Sequence, residues 1–456
     1  MKEKIFKIAP LWIQNILISV FNLLAYNKRY GGKYKSYLKE YEDYKNFSLE
    51  QLKEVQAKKL ALFSAYVLKN SEFYKNHYSP SVTHISLKNL EALPIVTKEH
   101  LQKYTETMRT IPAAKGVKSQ TGGTTGKPVE VVFTKNNMQE RFAILDTFRG
   151  QYGYALGKRT AWFSSKKIVF DKDVKKKRFW KTDYLHNIRY YSSFHLKADY
   201  LYYYIENLIE FKPAYLSGFP STMLEIAQYG LQHNISFPEN TIVAIFPTAE
   251  TITPEMREIF ESFFKAKVYD QYASSEGAPF IYECVQQKLH IQLQTGVFEV
   301  LDDDLQPASQ GKLVVTSFTT QGTPLIRYDI GDQIALSDEV CCCGDHNPVV
   351  DKILGRYYDF IYTPTKRKVS LGNLTAMVYK TKGIVKFQVV QNQLEKLDIS
   401  VVIDKAVFTK NDEQVFLQNW QKLLEDKMTI NLKYVTDIPT EASGKFALIK
   451  NNIKDA

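Results

Sequence analysis

Residues 119–128, SQTGGTTGKP, bring together three glycines, three threonines, a serine and a lysine, a composition suited to holding phosphate. Gly122, Gly123 and Gly126 let the backbone take positive φ and turn N–H groups inward, while Thr121, Thr124 and Thr125 add short hydroxyl donors and Lys127 adds a cation. The stretch is not the helix-opening GxxxxGK[ST] loop, because Thr121 stands at the first glycine and Pro128 at the magnesium-holding hydroxyl. Any magnesium must find its carboxylate elsewhere. The apolar run that starts at Val129 places the loop at a strand edge; alone, such a stretch also fits a polar surface turn.

A second constellation is metal-like. Cys284 and His290 lie six residues apart, and Cys341 and Cys343 form a CxC pair followed by Gly344. Together they predict a closed Cys3His tetrahedron of the structural zinc type, with Cys342 spare and His346 an alternative ligand; the competing reading is buried free thiols. Only four cysteines occur, and three are adjacent. A disulfide framework is therefore not expected, and a reducing, cytoplasmic setting is.

The elements that must position these groups read as α/β. A helix starts at Ser48, where Ser48 and Gln51 fit a capping box, and Thr97 caps another after Pro94. An aromatic-rich region from 140 to 230 contains the turn SGFPS at Ser217–Ser221 and reads as structural. The apolar run 241–246, a helix over Pro254–Phe264 and the strand of VYDQYASSEG give a strand, helix, strand succession, which predicts parallel pairing with ligands at the carboxyl ends of the strands. From 292 to 336 the pattern turns to β, with VFEVL and KLVVTSF. The last hundred residues, with the alternating KLDISVVID and a helix over Gln414–Lys427, read as a small α+β domain joined at Gly355. The expected division is 1–354, including a helical segment 1–80, and 355–456.

The chain has 456 residues, 44% of them hydrophobic and 24% charged, with 60 Lys and Arg against 49 Asp and Glu for a net +11. That is an ordinary globular balance with a bias toward anionic partners. Some of the excess is local, as in KDVKKKRFWK from Lys172. Residues 8–27 carry no charge and are flanked by Lys2, Lys4, Lys7, Lys28 and Arg29, but Pro10, Gln14, Asn15, Ser19 and Asn22 interrupt the apolar run. Three readings stay open: a helix packed on its own protein, an interfacial helix giving peripheral membrane contact through residues 5–27, or a true span or signal anchor.

Taken in order, TGGTTGKP at 121, YASSEG at 272, RYDIGD at 327 with LGRYYD at 354, and ASGKF at 442 resemble the motifs of the adenylate-forming superfamily. More closely the chain resembles the phenylacetate-coenzyme A ligase family and its capsule-biosynthesis relatives, over 48–450. LPIVTKEHL, SGFPS, GKLVVTSF and the cysteine positions match that branch as well. The resemblance implies a large N-terminal domain of parallel and mixed sheets with helices and a β-rich subdomain, followed by a small mobile C-terminal domain. It implies activation of a small carboxylic acid by ATP and Mg2+ to an acyl-adenylate, then transfer to a thiol of coenzyme A or a carrier protein. Alternatives are transfer to an amine or hydroxyl in surface-polysaccharide assembly, or adenylylation of a cofactor.

By the same resemblance, Thr121–Lys127 hold the triphosphate, with Thr125 among the catalytic groups, and Glu276 binds magnesium. Thr248, Ala249, Glu250 and Tyr272 contact adenine, with Ala273 and Ser275 beside them; Asp332 takes the ribose hydroxyls, and Arg356 contacts AMP at a hinge with Gly355 and Asp359. Lys445 is implied to stabilise the adenylation transition state, as fixed positive charge near developing negative charge does. A non-catalytic membrane- or nucleic-acid-binding protein gives no reason for Glu276, Asp332 and Lys445 to coexist, and nucleic acid is not among the expected partners. The chain departs from the family pattern at Gly122 for serine, Ala273 for glycine, Tyr358 for an acid of the hinge, and YTPTKRKVS for a glycine-rich stretch. Those last changes bear on the acceptor, because Lys366, Arg367 and Lys368 could meet coenzyme A phosphates or form a solvated turn.

Overall fold

The computed structural model describes residues 6–120, 129–164, 166–356, 360–370, 381–424, 428–441 and 444–453. The phosphate-loop candidates Thr121, Gly122, Gly123, Thr124, Thr125, Gly126 and Lys127 lie outside the described residues, as do Tyr358, Asp359 and Ser443. The chain divides into one compact unit of 1–20, 156–268 and 355–456 and another of 21–155 and 269–354.

The first unit contains a six-stranded sheet ordered Trp180–Asp183, Ile188–Ser192, Thr160–Ser164, Tyr215–Gly218, Ala244–Pro247 and Lys267–Val268. All neighbours run parallel except the antiparallel edge strand Trp180–Asp183. Its central strands are covered on both faces, so they are apolar without alternation: Ala161, Phe163, Leu216 and Ile245 are fully buried. Helices Ala198–Phe211, Pro220–Gln232 and Pro254–Phe264 pack on it through Leu201, Met223, Phe260 and Phe263. The helix expected over Pro254–Phe264 forms with those bounds, because Thr253 accepts from the N–H of Met256 and Pro254 fills the first turn, where no donor is missed. The expected strand 241–246 is shorter and later, Ala244–Pro247.

The expected single strand in VYDQYASSEG is instead two. Lys267–Val268 pairs parallel with Ala244–Pro247, whereas Gln271–Tyr272 pairs antiparallel with Ile281–Glu283 in another sheet. The SGFPS turn is a strand-to-helix junction: Gly218 has φ +134°, and a Cβ there would overlap the carbonyl oxygen of Phe163.

The same unit carries the last segment of the chain. Its four-stranded sheet is ordered Thr429–Tyr434, Lys396–Ile403, Ile384–Gln393 and Ile449–Asn451, and helix Lys410–Leu424 lies against it with Phe416, Trp420 and Leu424 buried. The alternation of KLDISVVID is reproduced, with Leu397, Ile399 and Val401 inside. Val385, Val402 and Ile438 from this segment join the apolar cluster of the six-stranded sheet.

The second unit is built on a seven-stranded sheet ordered Gly296–Leu301, Gln310–Ser317, Leu325–Ser337, Val349–Arg356, Leu289–Ile291, Ile281–Glu283 and Gln271–Tyr272. Helix Leu49–Asn70 starts on the expected capping box of Ser48 and Gln51 and buries Leu52, Leu60, Phe63 and Val67 in the core of this sheet. Strands Val117–Gln120 and Glu130–Phe133, on either side of the phosphate-loop candidates, pair antiparallel. Among the described residues, no helix is long and apolar enough to cross a membrane.

Candidate functional site

In the first unit, the strand Ala244–Pro247 delivers Thr248, Ala249 and Glu250 at its carboxyl end. The N–H of Thr248 bonds to the carbonyl of Gly218 at 2.9 Å, and Ala249 sits at φ +72°, a conformation that a residue with a Cβ seldom adopts. Glu250 accepts three hydrogen bonds: from the N–H of Ser221 at 2.8 Å, from Ser221 Oγ at 3.0 Å and from the N–H of Phe446 at 3.3 Å. Burial raises its carboxyl pKa, opposed by the Ser221 and Phe446 hydrogen bonds and by the charge of Lys445. Thus Ser221, expected to be merely structural, and the loop of Lys445 meet on one carboxylate. That loop is closed by Glu441 N–H to Lys445 O at 2.9 Å and Gly444 N–H to Glu441 O at 2.8 Å, with Gly444 at φ +79°.

Two close polar contacts, neither legible from the motifs, flank this arrangement. Lys386 Nζ lies 3.0 Å from Glu225, both nearly fully buried, and 5.0 Å from the centre of the Phe446 ring. His233 Nε2 lies 2.6 Å from Asp404. Arg356 is half-buried and follows Gly355, which has φ +85°.

In the second unit, Tyr272 and Asp332 are brought together: the phenol donates to Asp332 Oδ2 at 2.6 Å. Ala273 is half-buried and Ser275 is exposed. Glu276 is only 5% exposed, and among the described residues it has no cationic partner. A buried carboxylate without a protein cation is costly, so this hard oxygen donor fits a magnesium ion. Its turn is held from both sides. Ser274 Oγ accepts from the N–H groups of Gly277 and Ala278, and Arg141 Nη1 donates to the carbonyls of Gly277 and Ala278 at 3.0 and 2.9 Å and to Thr319 Oγ1 at 2.8 Å. Gly277 has φ +105°, and a Cβ there would press on Thr320 and Phe133 at 2.6 and 2.8 Å. Burial lowers the Arg141 pKa to about 10. No local pattern marks Arg141 as a positioning residue, because its partners lie 136 to 178 positions away.

The cysteine and histidine candidates converge in the same unit, with the ligand atoms of Cys284, His290, Cys341 and Cys343 all within 4.8 Å of one another. The sulfurs of Cys284 and Cys341 are 3.7 Å apart, and Cys343 Sγ is 3.5 Å from His290 Nε2. Zinc bonds of about 2.3 Å to sulfur and about 2.0 Å to nitrogen place tetrahedral neighbours about 3.8 and about 3.5 Å apart, so the set fits zinc. His290 Nδ1 lies 2.9 Å from the carbonyl of Asn347, which fixes Nε2 toward the sulfurs. Burial pushes the Cys343 thiol up, so the thiolate that ligation requires would need a bound cation beside it. The alternative ligand His346 is not in the cluster; its ring bonds to the carbonyl of Phe47, and Cys342 is exposed.

Residues 361–452 match the family described as the CapK C-terminal domain. Protein CapK of Staphylococcus aureus is 33% identical over 462 aligned residues, covering 100% of both chains. Phenylacetate-coenzyme A ligase of Thermus thermophilus is 26% identical over 220 residues, 45% of this chain and 49% of that one. The crystal structure of 2-hydroxyisobutyryl-CoA ligase in the postadenylation state, in complex with 2-HIB-AMP, superposes with a TM-score of 0.70 at 16% identity, covering 89% of this chain and 91% of that one. At that identity the likeness is one of fold: the α/β class expected from the sequence is the one found.

Proposed function

The chain belongs to the CapK family, and from that premise we propose that it is an ATP-dependent, AMP-forming ligase that activates a small carboxylic acid as its acyl-adenylate and passes the acyl group to a thiol. The observation that carries this reading is the seating of the Lys445 loop on Glu250, through the Phe446 N–H, at the carboxyl end of a parallel strand. In the first step a carboxylate oxygen attacks the α-phosphorus of ATP, the bond to the β-phosphate oxygen breaks, and pyrophosphate leaves. Lys445 supplies ammonium donors to the oxygens that gain charge. Thr248 and Ala249 shape the adenine contact, Tyr272 orients the Asp332 carboxylate for the ribose hydroxyls, and Arg356 contacts AMP. Glu276, held in its turn by Arg141, is the residue that would hold magnesium, which when bound neutralises triphosphate charge. Thr121–Lys127 are proposed to wrap the phosphates, with Thr125 donating to them, and Ala273 and Ser275 line the nucleotide.

In the second step the thiol loses its proton to solvent, the thiolate sulfur attacks the acyl carbon, and AMP departs with the electrons of the acyl–phosphate bond. The acceptor is proposed to be coenzyme A or a carrier-protein arm, in a cytoplasmic setting. One observation favours a second reading, transfer to an amine or hydroxyl of a surface polysaccharide. Arg367 donates to the carbonyl of Leu423 at 2.8 Å, and Lys368 lies 5.0 Å from the centre of the Phe360 ring. Two of the three cations considered for coenzyme A phosphates are therefore engaged by their own segment. Pyrophosphate release over a panel of carboxylates, with coenzyme A, carrier protein or amino sugar added in turn, tests both readings. Stimulation by coenzyme A or carrier protein supports the first; stimulation by the sugar amine alone replaces it with the second.

A further inference from the structure

Helix Leu11–Tyr30 is turned inside out. Gln14, Asn15, Ser19 and Asn22 are buried, whereas Trp12 is 60%, Phe21 69% and Leu24 70% exposed, with Ile16, Val20 and Leu23 outside as well. At the helical spacing of about 100° per residue the buried polar side chains form one face and the exposed apolar ones the opposite face. Specific bonds fix this orientation. Asn15 Oδ1 accepts from the N–H of Thr182 at 3.1 Å, its Nδ2 donates to the hydroxyl of Tyr184 at 2.9 Å, and Ser19 Oγ accepts from the N–H of Tyr184 at 2.9 Å. The helix thus satisfies N–H groups along the edge of the six-stranded sheet, and rolling its apolar face inward would orphan them. Tyr184 and Leu185, themselves more than half exposed, extend the apolar surface.

The charge around this face says what covers it. From Lys4 to Lys39 the sequence holds no acidic residue, while Lys7, Lys28, Arg29, Lys33 and Lys35 are all cations. The basic segment KDVKKKRFWK is fastened beside the start of the helix, where Lys172 Nζ donates to the carbonyl of Ala9 at 2.7 Å and the rings of Phe6 and Phe170 meet at 5.8 Å. Lys175 and Lys176 there are exposed. A second copy would bring this cationic rim against itself, which is repulsive. An anionic bilayer satisfies both features, taking the apolar face at the acyl boundary and the cations among the headgroups.

We propose that the outward face of Leu11–Tyr30 seats in the plane of an anionic lipid surface, anchoring the enzyme without crossing the bilayer. This reading is independent of the acid and of the acceptor. The test is co-sedimentation of the full-length protein with vesicles of phosphatidylcholine alone or mixed with phosphatidylglycerol. The wild type is compared with Trp12→Ser/Phe21→Ser/Leu24→Ser in one chain and with Lys175→Glu/Lys176→Glu, and thermal midpoints confirm that each is folded. The wild type is expected to pellet with the anionic vesicles. The apolar variant should lose at least ~10-fold in partitioning, and the charge variant should lose the preference for phosphatidylglycerol. A wild type that stays in the supernatant with both vesicles, or an apolar variant that pellets like the wild type, overturns the proposal. So does a dimer in sedimentation velocity that the apolar variant dissolves without any vesicle binding, because the face then belongs to a second copy.

Discussion

Phe446 donates its backbone N–H to Oε1 of Glu250 at 3.3 Å, so the residue next to Lys445 is pinned to the acid that also receives both donors of Ser221. A lysine held by its neighbour's backbone is preorganised, and preorganised charge acts on the transition state more than on the bound substrate. Lys445→Ala should therefore lower the rate of pyrophosphate release by at least ~10²-fold while leaving the thermal midpoint and ATP binding nearly unchanged. Turnover equal to wild type in that variant would remove Lys445 from the mechanism.

Glu276 is buried in a turn that Arg141, Ser274 and Gly277 hold. Glu276→Gln keeps the shape and removes the anion, so the magnesium concentration for half-maximal rate should rise and the rate should fall by roughly tenfold or more. Arg141→Gln should also raise the magnesium concentration for half-maximal rate, acting through the turn that it holds. Unchanged magnesium titrations in Glu276→Gln would reduce it to a structural acid.

The cluster of Cys284, His290, Cys341 and Cys343 predicts close to one equivalent of zinc in protein purified without chelator. Cys284→Ser or Cys343→Ser should release the metal and lower the thermal midpoint, whereas Cys342→Ser should do neither, because that side chain is exposed and outside the cluster. Elemental analysis without zinc, or equal loss in the Cys342 variant, would count against the site.

What the sequence revealed was local. The Ser48–Gln51 box, the helix Pro254–Phe264 and the alternation of KLDISVVID each depend on residues within a few positions, and each forms as expected. The four metal-like side chains were legible because cysteine is scarce in this chain. Arg141, Glu225 and Lys386 were not, because each is defined by partners more than a hundred positions away. Gln14, Asn15, Ser19 and Asn22 read as interruptions of an apolar run; their burial, with Asn15 and Ser19 bonded to Thr182 and Tyr184, shows that they form the inward face. VYDQYASSEG read as one strand running into a polar turn because Val268, Tyr269 and Tyr272 are strand formers on either side of Asp270, whereas pairing divides the stretch between two sheets.

The pair of Glu225 and Lys386 joins helix Pro220–Gln232 to strand Ile384–Gln393 and should make stability depend on pH. Burial pushes the Glu225 carboxyl from its ordinary 4.5 up to about 7, with the Lys386 charge opposing. Between those values the folded chain holds more protons at this group than the unfolded chain, so the stability that it contributes is complete below about 4.5 and declines as pH rises toward about 7. Glu225→Gln should flatten that part of the stability profile. Lys386→Met removes the opposing cation, so the folded carboxyl should titrate at still higher pH, the decline should continue above neutrality, and the loss there should reach about 3 kcal/mol or more, as for other broken buried pairs. Denaturant melts at several pH values check this. A Lys386→Met profile displaced from wild type by a constant amount at every pH would show that the pair does not set the titration of Glu225.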